Sequence, residues 1–378
     1  MKKTPLKKDL VAIRSARVSD IPGLLNLENR SFDYDKLGKR NFQYMIKEAN
    51  SILLVLEYGS NLVGYGLVLI NNGTGLARLY SICTLKEFQG MGLASRLITE
   101  LENKAAEKNC AFLRLEVKSD NKGAISLYEK LGYYKFTVKE QYYEDGRSAF
   151  CFEKQIKIFK LRPRLKIPYY QQKTDFTCGP ACLLMAMKAF RKKQKMNLSE
   201  ELQIWREATT IFMTSGHGGC GPQGLALAAH ERGFKTELFV SHEQAMFVDT
   251  VRNLEKKKII ALVQSDFEKK LTQKKVKVHR KRLTLNDLKS VLKEGGIPIV
   301  LISTHHFDNN RIPHWVVVTA YDEHFVYIHD PDQDISGEHE GLISKTHIPV
   351  PEDQFIKALR WGKDAMSATV VVFGKSIS

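Results

Sequence analysis

The sequence predicts two folds in tandem, an α/β unit over residues 1–157 and an α+β unit over residues 167–378, joined by a linker at 158–166. Three observations lead there. At 378 residues the chain is longer than one ordinary core can serve. Apolar periodicity alternates between strand and helix as far as Lys157, then turns to helices followed by a run of strands. Between the two halves, IFKLRPRLKIP carries Pro163 and Pro168, which interrupt regular structure.

In the first unit, SDIPGLLNLENRSF reads as a capped helix with Asp20 ahead of Pro22 and an apolar stripe. SILLVLEYGSNLVGYGLVLI reads as two strands around a Gly-Ser-Asn turn. LARLYSICTL is a further strand, leading through EFQGMG into the long helix LASRLITELENKAAEKN. The strand FLRLEV, the helix NKGAISLYEKLG and a hairpin turning at Glu144-Asp145-Gly146 close the unit. In the second unit, CGPACLLMAMKAF is a buried helix, SGHGGCGPQG a glycine-rich loop ahead of another helix, and IPIVLIST, HWVVVTAYD and HFVYIHDP are strands.

Composition narrows the function classes. A 43% hydrophobic, 26% charged chain is that of a globular protein. No apolar run approaches the roughly 18 residues that cross a bilayer, so no membrane partner is expected. The N-terminal MKKTPLKKDL has the lysines of a secretory segment without its apolar stretch, and a cytoplasmic location is expected. Cys83, Cys110, Cys151, Cys178, Cys182 and Cys220 make no pair of CxxC elements, so neither a disulfide framework nor a metal site is expected. The net charge is +16, yet residues 1–160 hold 26 Lys and Arg against 18 Asp and Glu, half of that excess. So even a spread argues against a dedicated nucleic-acid arm. The dense cluster from Lys269 to Arg282 reads as a solvated face. Nothing in the sequence sets the oligomeric state.

Two places carry chemistry. Gln89, Gly90, Met91, Gly92, Leu93 and Ala94 lie between a predicted strand and a predicted helix, where glycine lets backbone N–H groups approach phosphate oxygens. The same loop nearly fits a dinucleotide pattern, with Glu116 as its acidic partner, but it falls deep in the unit and Ser95 stands at the third small position. With LRLEVKSDNKGAISLYEKLGYYKF following, the stretch from 11 to 157 resembles the GNAT N-acetyltransferases, whose fold is a mixed sheet flanked by helices. The resemblance implies acetyl-CoA as acyl donor. It implies that the backbone of Ile82, Cys83 and Thr84 pairs with the pantetheine arm and that Gln89 to Ala94 cradle the pyrophosphate. It further implies that Asn121 supports the cofactor and that Tyr128 protonates the departing thiolate. Where many such relatives carry a glutamate base on the strand before the loop, this chain has Arg78, which cannot act as a base. Another group, solvent, or an anionic acceptor bound by Arg78 must then be invoked.

In the second unit, Cys178-Gly179-Pro180 opens an apolar helix, where the helix N-terminus favours a thiolate. Gln172, six residues earlier, is placed to complete an oxyanion hole with the Cys178 N–H, with Gln171 the neighbouring alternative, less favoured by spacing. Cys182, one turn on, suits a buried structural thiol, and Cys220 a flexible loop near the cleft. His314 opens one strand and Asp330 closes the next. If the strands are antiparallel around Asp322-Glu323-His324, Asp330 accepts the His314 Nδ1–H. His305, His306, His324 and His329 are the competing histidines. The ordered set Gln172, Cys178-Gly179-Pro180-Ala181-Cys182-Leu183, His314, Asp330-Pro331 resembles the bacteriocin-processing cysteine peptidases, papain-like domains that cut leaders after double glycine. The expectation is a bifunctional enzyme, an N-acyltransferase plus a thiol peptidase, acting on a peptide or protein. The alternative is an acyl-CoA-sensing, peptide-binding regulatory module.

Overall fold

The computed structural model describes residues 10–34, 36–143, 145–157, 166–209, 218–242, 246, 248, 251, 253–304, 312–332, 345–362 and 364–374. The expectations that fall on residues 1–9, on Glu144, on the linker 158–165, on 215–217 of the glycine-rich loop and on His305 and His306 lie outside them. The chain divides into two compact units, Met1–Ile158 and Phe159–Ser378.

The first unit runs β1 (Val11–Ser15), α1 (Ile21–Ser31), α2 (Lys39–Lys47), β2 (Ser51–Tyr58), β3 (Asn61–Ile70), β4 (Leu76–Thr84), α3 (Leu93–Glu107), β5 (Phe112–Lys118), α4 (Lys122–Lys130), β6 (Tyr134–Lys139) and β7 (Ala149–Gln155). These strands form one seven-stranded sheet in the order β1-β2-β3-β4-β5-β7-β6. All neighbours are antiparallel except β4 and β5. Leu97, Leu101 and Ala105 of α3 and Leu24 and Leu27 of α1 bury one core with Val55, Tyr65 and Leu67 of the sheet. Asp20 does not cap α1 through its side chain. Arg14 holds both its oxygens, at 2.7 and 2.9 Å, and a guanidinium fork outcompetes a single helix N–H.

The parallel ladder between β4 and β5 runs only from Leu76↔Phe112 to Arg78↔Arg114. A register shift in β4 opposite Leu67/Val68 then turns the strand, with Tyr80 exposed at the shift. From there to Thr84, β4 has β3 as its only strand partner among the described residues. The sheet is parted at its middle.

The second unit runs α5 (Cys178–Phe190), α6 (Leu198–Ala208), α7 (Pro222–Glu231), β8 (Lys235–Val240), α8 (Leu254–Gln273), β9 (Lys277–His279), α9 (Leu285–Lys293), β10 (Ile297–Ser303), β11 (Pro313–Tyr321), β12 (Phe325–His329), β13 (Ile348–Pro351), α10 (Glu352–Ala358) and β14 (Ala368–Phe373). Its sheet has the order β13-β12-β11-β10-β14-β8-β9. One face packs on α5, α6 and α7 and the other on α9 and α10, giving two apolar layers. β11 and β12 pair antiparallel, and the Asp322 carboxylate closes their turn by accepting the N–H groups of His324 and Phe325 at 2.8 Å each. Several cations of the Lys269–Arg282 cluster are ion-paired at the surface, Lys270 with Asp266, Lys274 with Glu231 and Lys281 with Asp287.

Candidate active sites

In the first unit the parted sheet opens a cleft of about 800 Å³. Its walls include Ile82, Cys83 and Thr84 from the unpaired edge of β4, Gln89, Gly90, Gly92, Leu93 and Ala94 from the loop, and Asn121 and Tyr128 from α4. Met91 does not line it. Its side chain packs against the core, where the turn between the two flanking glycines sends it. Gly90 and Gly92 have φ of +78° and +73°, a region that favours glycine, and a Cβ built on either meets nothing within 4 Å. The loop therefore presents bare backbone to open space at the start of α3, as phosphate oxygens require. These residues fit acetyl-CoA.

Asn121 serves α4 directly, because its Oδ1 accepts the Ala124 N–H at 3.1 Å as an N-cap. Tyr128 is 6% exposed and packs edge-on against Tyr133 at 5.7 Å between centroids. Burial pushes its hydroxyl up to about 12, so it stays protonated at neutral pH. Arg78 is engaged by Glu116, Nε to Oε2 at 3.0 Å, and donates to the Tyr142 hydroxyl at 3.2 Å. Lys139 meets the other Glu116 oxygen at 3.1 Å. The arginine on β4 is thus paired with a carboxylate on β5. The signal was present in LRLEV, where Arg114 and Glu116 put two charges on one face of an otherwise apolar strand.

In the second unit α5 brings Cys178 to the sheet. A Cβ on Gly179 would sit 2.9 Å from Leu225 Cδ1 and 3.1 Å from Trp315 Cδ1, so glycine lets the helix start press against α7 and β11. Cys178 is half-buried at that start, and His314, 8% exposed, lies near enough for the thiol to act on its protonation. His314 Nε2 donates to Asp330 Oδ1 at 2.7 Å. The nitrogen is Nε2, where Nδ1 was expected. In the strand register Val317 faces His329, which carried one pair further puts Asp330 across from Val316, two residues along from His314. Nδ1 is then the nitrogen left for Cys178.

The electrostatics follow from this contact. Burial alone would lower the His314 pKa, but the Asp330 charge and hydrogen bond, with Cys178, hold it well above the ordinary histidine value. Burial would raise Asp330, yet His314 and Lys345 keep its carboxyl well below the usual range. Lys345 was missed in the sequence. Its Nζ is 3.4 Å from Asp330 Oδ2 and its carbonyl accepts the Asp330 N–H at 2.8 Å. Gln172, 2% exposed, donates its N–H to the Pro331 carbonyl at 2.8 Å, which ties its segment to the residue after Asp330.

The competing groups separate cleanly. His329 accepts the His347 N–H at Nδ1 and donates Nε2–H to the Ile167 carbonyl at 3.0 Å, a neutral structural ring. His324 sits in the β11–β12 turn. Cys182 is fully buried and donates to the Trp315 carbonyl at 3.2 Å. Cys220 is a correction. It is buried in the core, its carbonyl accepts Trp315 Nε1–H at 3.1 Å, and burial drives both thiols up. The apolar helix after it, not the glycines before it, decides its environment.

A mixed sheet parted over a glycine loop, with a buried tyrosine at the cleft, defines an N-acetyltransferase fold; the half-buried cysteine beside a His–Asp pair defines a thiol-centred fold after it. The chain belongs to the Peptidase_C39 like family, which it matches over residues 167–373, and its residues 21–133 match the Acetyltransferase (GNAT) family. An uncharacterized N-acetyltransferase of Methanocaldococcus jannaschii is 33% identical over 115 residues, 30% of this chain and 69% of that protein. An N-alpha-acetyltransferase of Sulfurisphaera tokodaii is 29% identical over 150 residues, 36% of this chain and 89% of that protein. A putative [ribosomal protein bS18]-alanine N-acetyltransferase of Bacillus subtilis is 27% identical over 140 residues, 37% of this chain and 91% of that protein. Among the described residues no group of three or more metal-ligating side chains could hold an ion, and no helix is long and apolar enough to cross a membrane.

Proposed function

We propose that the chain is a bifunctional enzyme acting on polypeptides, an acetyl-CoA-dependent N-acetyltransferase joined to a thiol peptidase. The observation that carries the peptidase half is His314 hydrogen-bonded to the Asp330 carboxylate and close to the Cys178 thiol. In this reading the Cys178 sulfur adds to a peptide carbonyl, His314 donates its proton to the departing amine, and Asp330 keeps the ring oriented. Gln172 and the Cys178 N–H receive the oxyanion. Water then releases the acyl-enzyme.

In the first unit, acetyl-CoA supplies an activated acyl thioester when bound. Tyr128 holds the proton for the thiolate. Glu116 attracts the acceptor ammonium and takes its proton, which answers the arginine at position 78. The relatives named for N-terminal acetylation support an α-amine of a peptide or protein as acceptor. A second reading, an acyl-CoA sensor that grips peptides, draws on Arg78, which stands where a glutamate base would and ties up one Glu116 oxygen.

A mixed peptide pool incubated with the protein, with and without acetyl-CoA, and read by mass spectrometry tests both halves. Cleaved peptides independent of acetyl-CoA and mass gains of one acetyl group that need it are expected. Cys178→Ala should end cleavage, remove one iodoacetamide-reactive thiol and leave acetylation intact. A pool unchanged in mass under both conditions would leave the sensing reading.

A further inference from the structure

We infer that Glu201 is the positioning residue for the oxyanion side of the Cys178 site, an inference that rests on the thiol-peptidase reading. Glu201 lies in the first turn of α6 and is wholly buried, at 0% exposure. A buried carboxylate persists only where donors meet it. The three partners of its side chain among the described residues come from one short stretch. The Tyr170 hydroxyl donates to Oε2 at 2.7 Å, the Lys173 N–H donates to Oε1 at 2.9 Å, and the Thr177 hydroxyl donates to the same oxygen.

Those donors bracket the two groups that must converge on an oxyanion. Gln172 stands between Tyr170 and Lys173, and Thr177 is the residue before Cys178. The far side of Gln172 is held by its N–H on the Pro331 carbonyl. One carboxylate therefore sets the distance between the Gln172 amide and the Cys178 N–H, while the Asp330 turn sets their place relative to His314. When the sulfur–carbon bond forms, the carbonyl π pair moves to oxygen, where those two donors meet it. Collapse restores the carbonyl and expels the leaving group. Glu201 touches none of these atoms and acts through the loop.

The test separates oxyanion support from thiolate formation. Hydrolysis of p-nitrophenyl acetate passes through an oxyanion, whereas iodoacetamide alkylation at a saturated carbon does not. E201Q and Q172A should each lower kcat on the ester about 100-fold with KM changed less than about 2-fold. Both should leave the rate of Cys178 alkylation and its pH profile as in the wild type. The double variant should be no slower than Q172A. Y170F, which deletes one donor only, should show the same signature at about 5-fold, and carries the test if E201Q does not fold. Wild-type kcat in E201Q, or in Y170F where E201Q does not fold, overturns the inference. So do multiplying losses in the double variant, or alkylation that falls in step with hydrolysis. If the wild type alkylates no faster at Cys178 than Cys178→Ala does elsewhere, the nucleophile assignment itself fails, which is a distinct result.

Discussion

At His314, burial and charge pull in opposite directions, and the charge of Asp330 wins. The folded protein holds the imidazole proton more tightly than the unfolded chain. That contribution to stability is complete below the unfolded histidine value near about 6.5 and is lost as pH rises through the raised folded value. Asp330 runs the other way: its contribution is present above about 4 and is lost as pH falls through its lowered value. The pair is strongest between those limits. Asp330→Asn removes the charge and leaves burial in command, so His314 should lose its proton at lower pH. The alkaline limb of the peptide-cleavage profile should move down, with a fall of about 100-fold or more at neutral pH. Cys178 and His314 were legible in the sequence because a thiol before a helix and a histidine opening an apolar strand need only local cues. Lys345 and Glu201 were not. Each matters through a contact with residues distant in the chain, and neither type is unusual where it stands.

Helix α5 shows how an element can be specified by what it presses against. Its first turn closes on Leu225 and Trp315 with no room for a methyl group. Gly179→Ala should cost about 1–3 kcal/mol by overpacking, read as a lower denaturant midpoint with unchanged slope. It should also slow alkylation of Cys178, since the helix start must back away from His314. The strands of the second half were legible from IPIVLIST, HWVVVTAYD and HFVYIHDP, where β-branched runs are bounded by turn residues. Helix α8 escaped notice. Its buried stripe is Ile260, Gln264, Phe267 and Leu271, while Leu254, Ile259 and Leu262 point to solvent and blur the period. The two short pieces α2 and β1 escaped because nine and five residues give too little pattern to outweigh their polar neighbours.

On the scale of the whole chain, each unit has apolar clusters of its own: one is built from residues within 11–152 and the others from residues within 167–373. Heating should therefore give two transitions. Acetyl-CoA at about 100 times its Kd adds about 2.7 kcal/mol to the state that binds it. For a unit of this size that raises one transition by about 5–10 °C and leaves the other in place, as calorimetry would record. A rise in both, or in neither, would contradict the assignment of the cleft. The gap between β4 and β5 carries a consequence for how this unit breathes. With only three residue pairs bridging its seam, four strands on one side and three on the other form two leaves on a short spine. Those backbone amides from Leu79 to Thr84 that face away from β3 should trade deuterium quickly in the free protein and slowly once the donor lies in the seam, as if a strand had been slipped between pages.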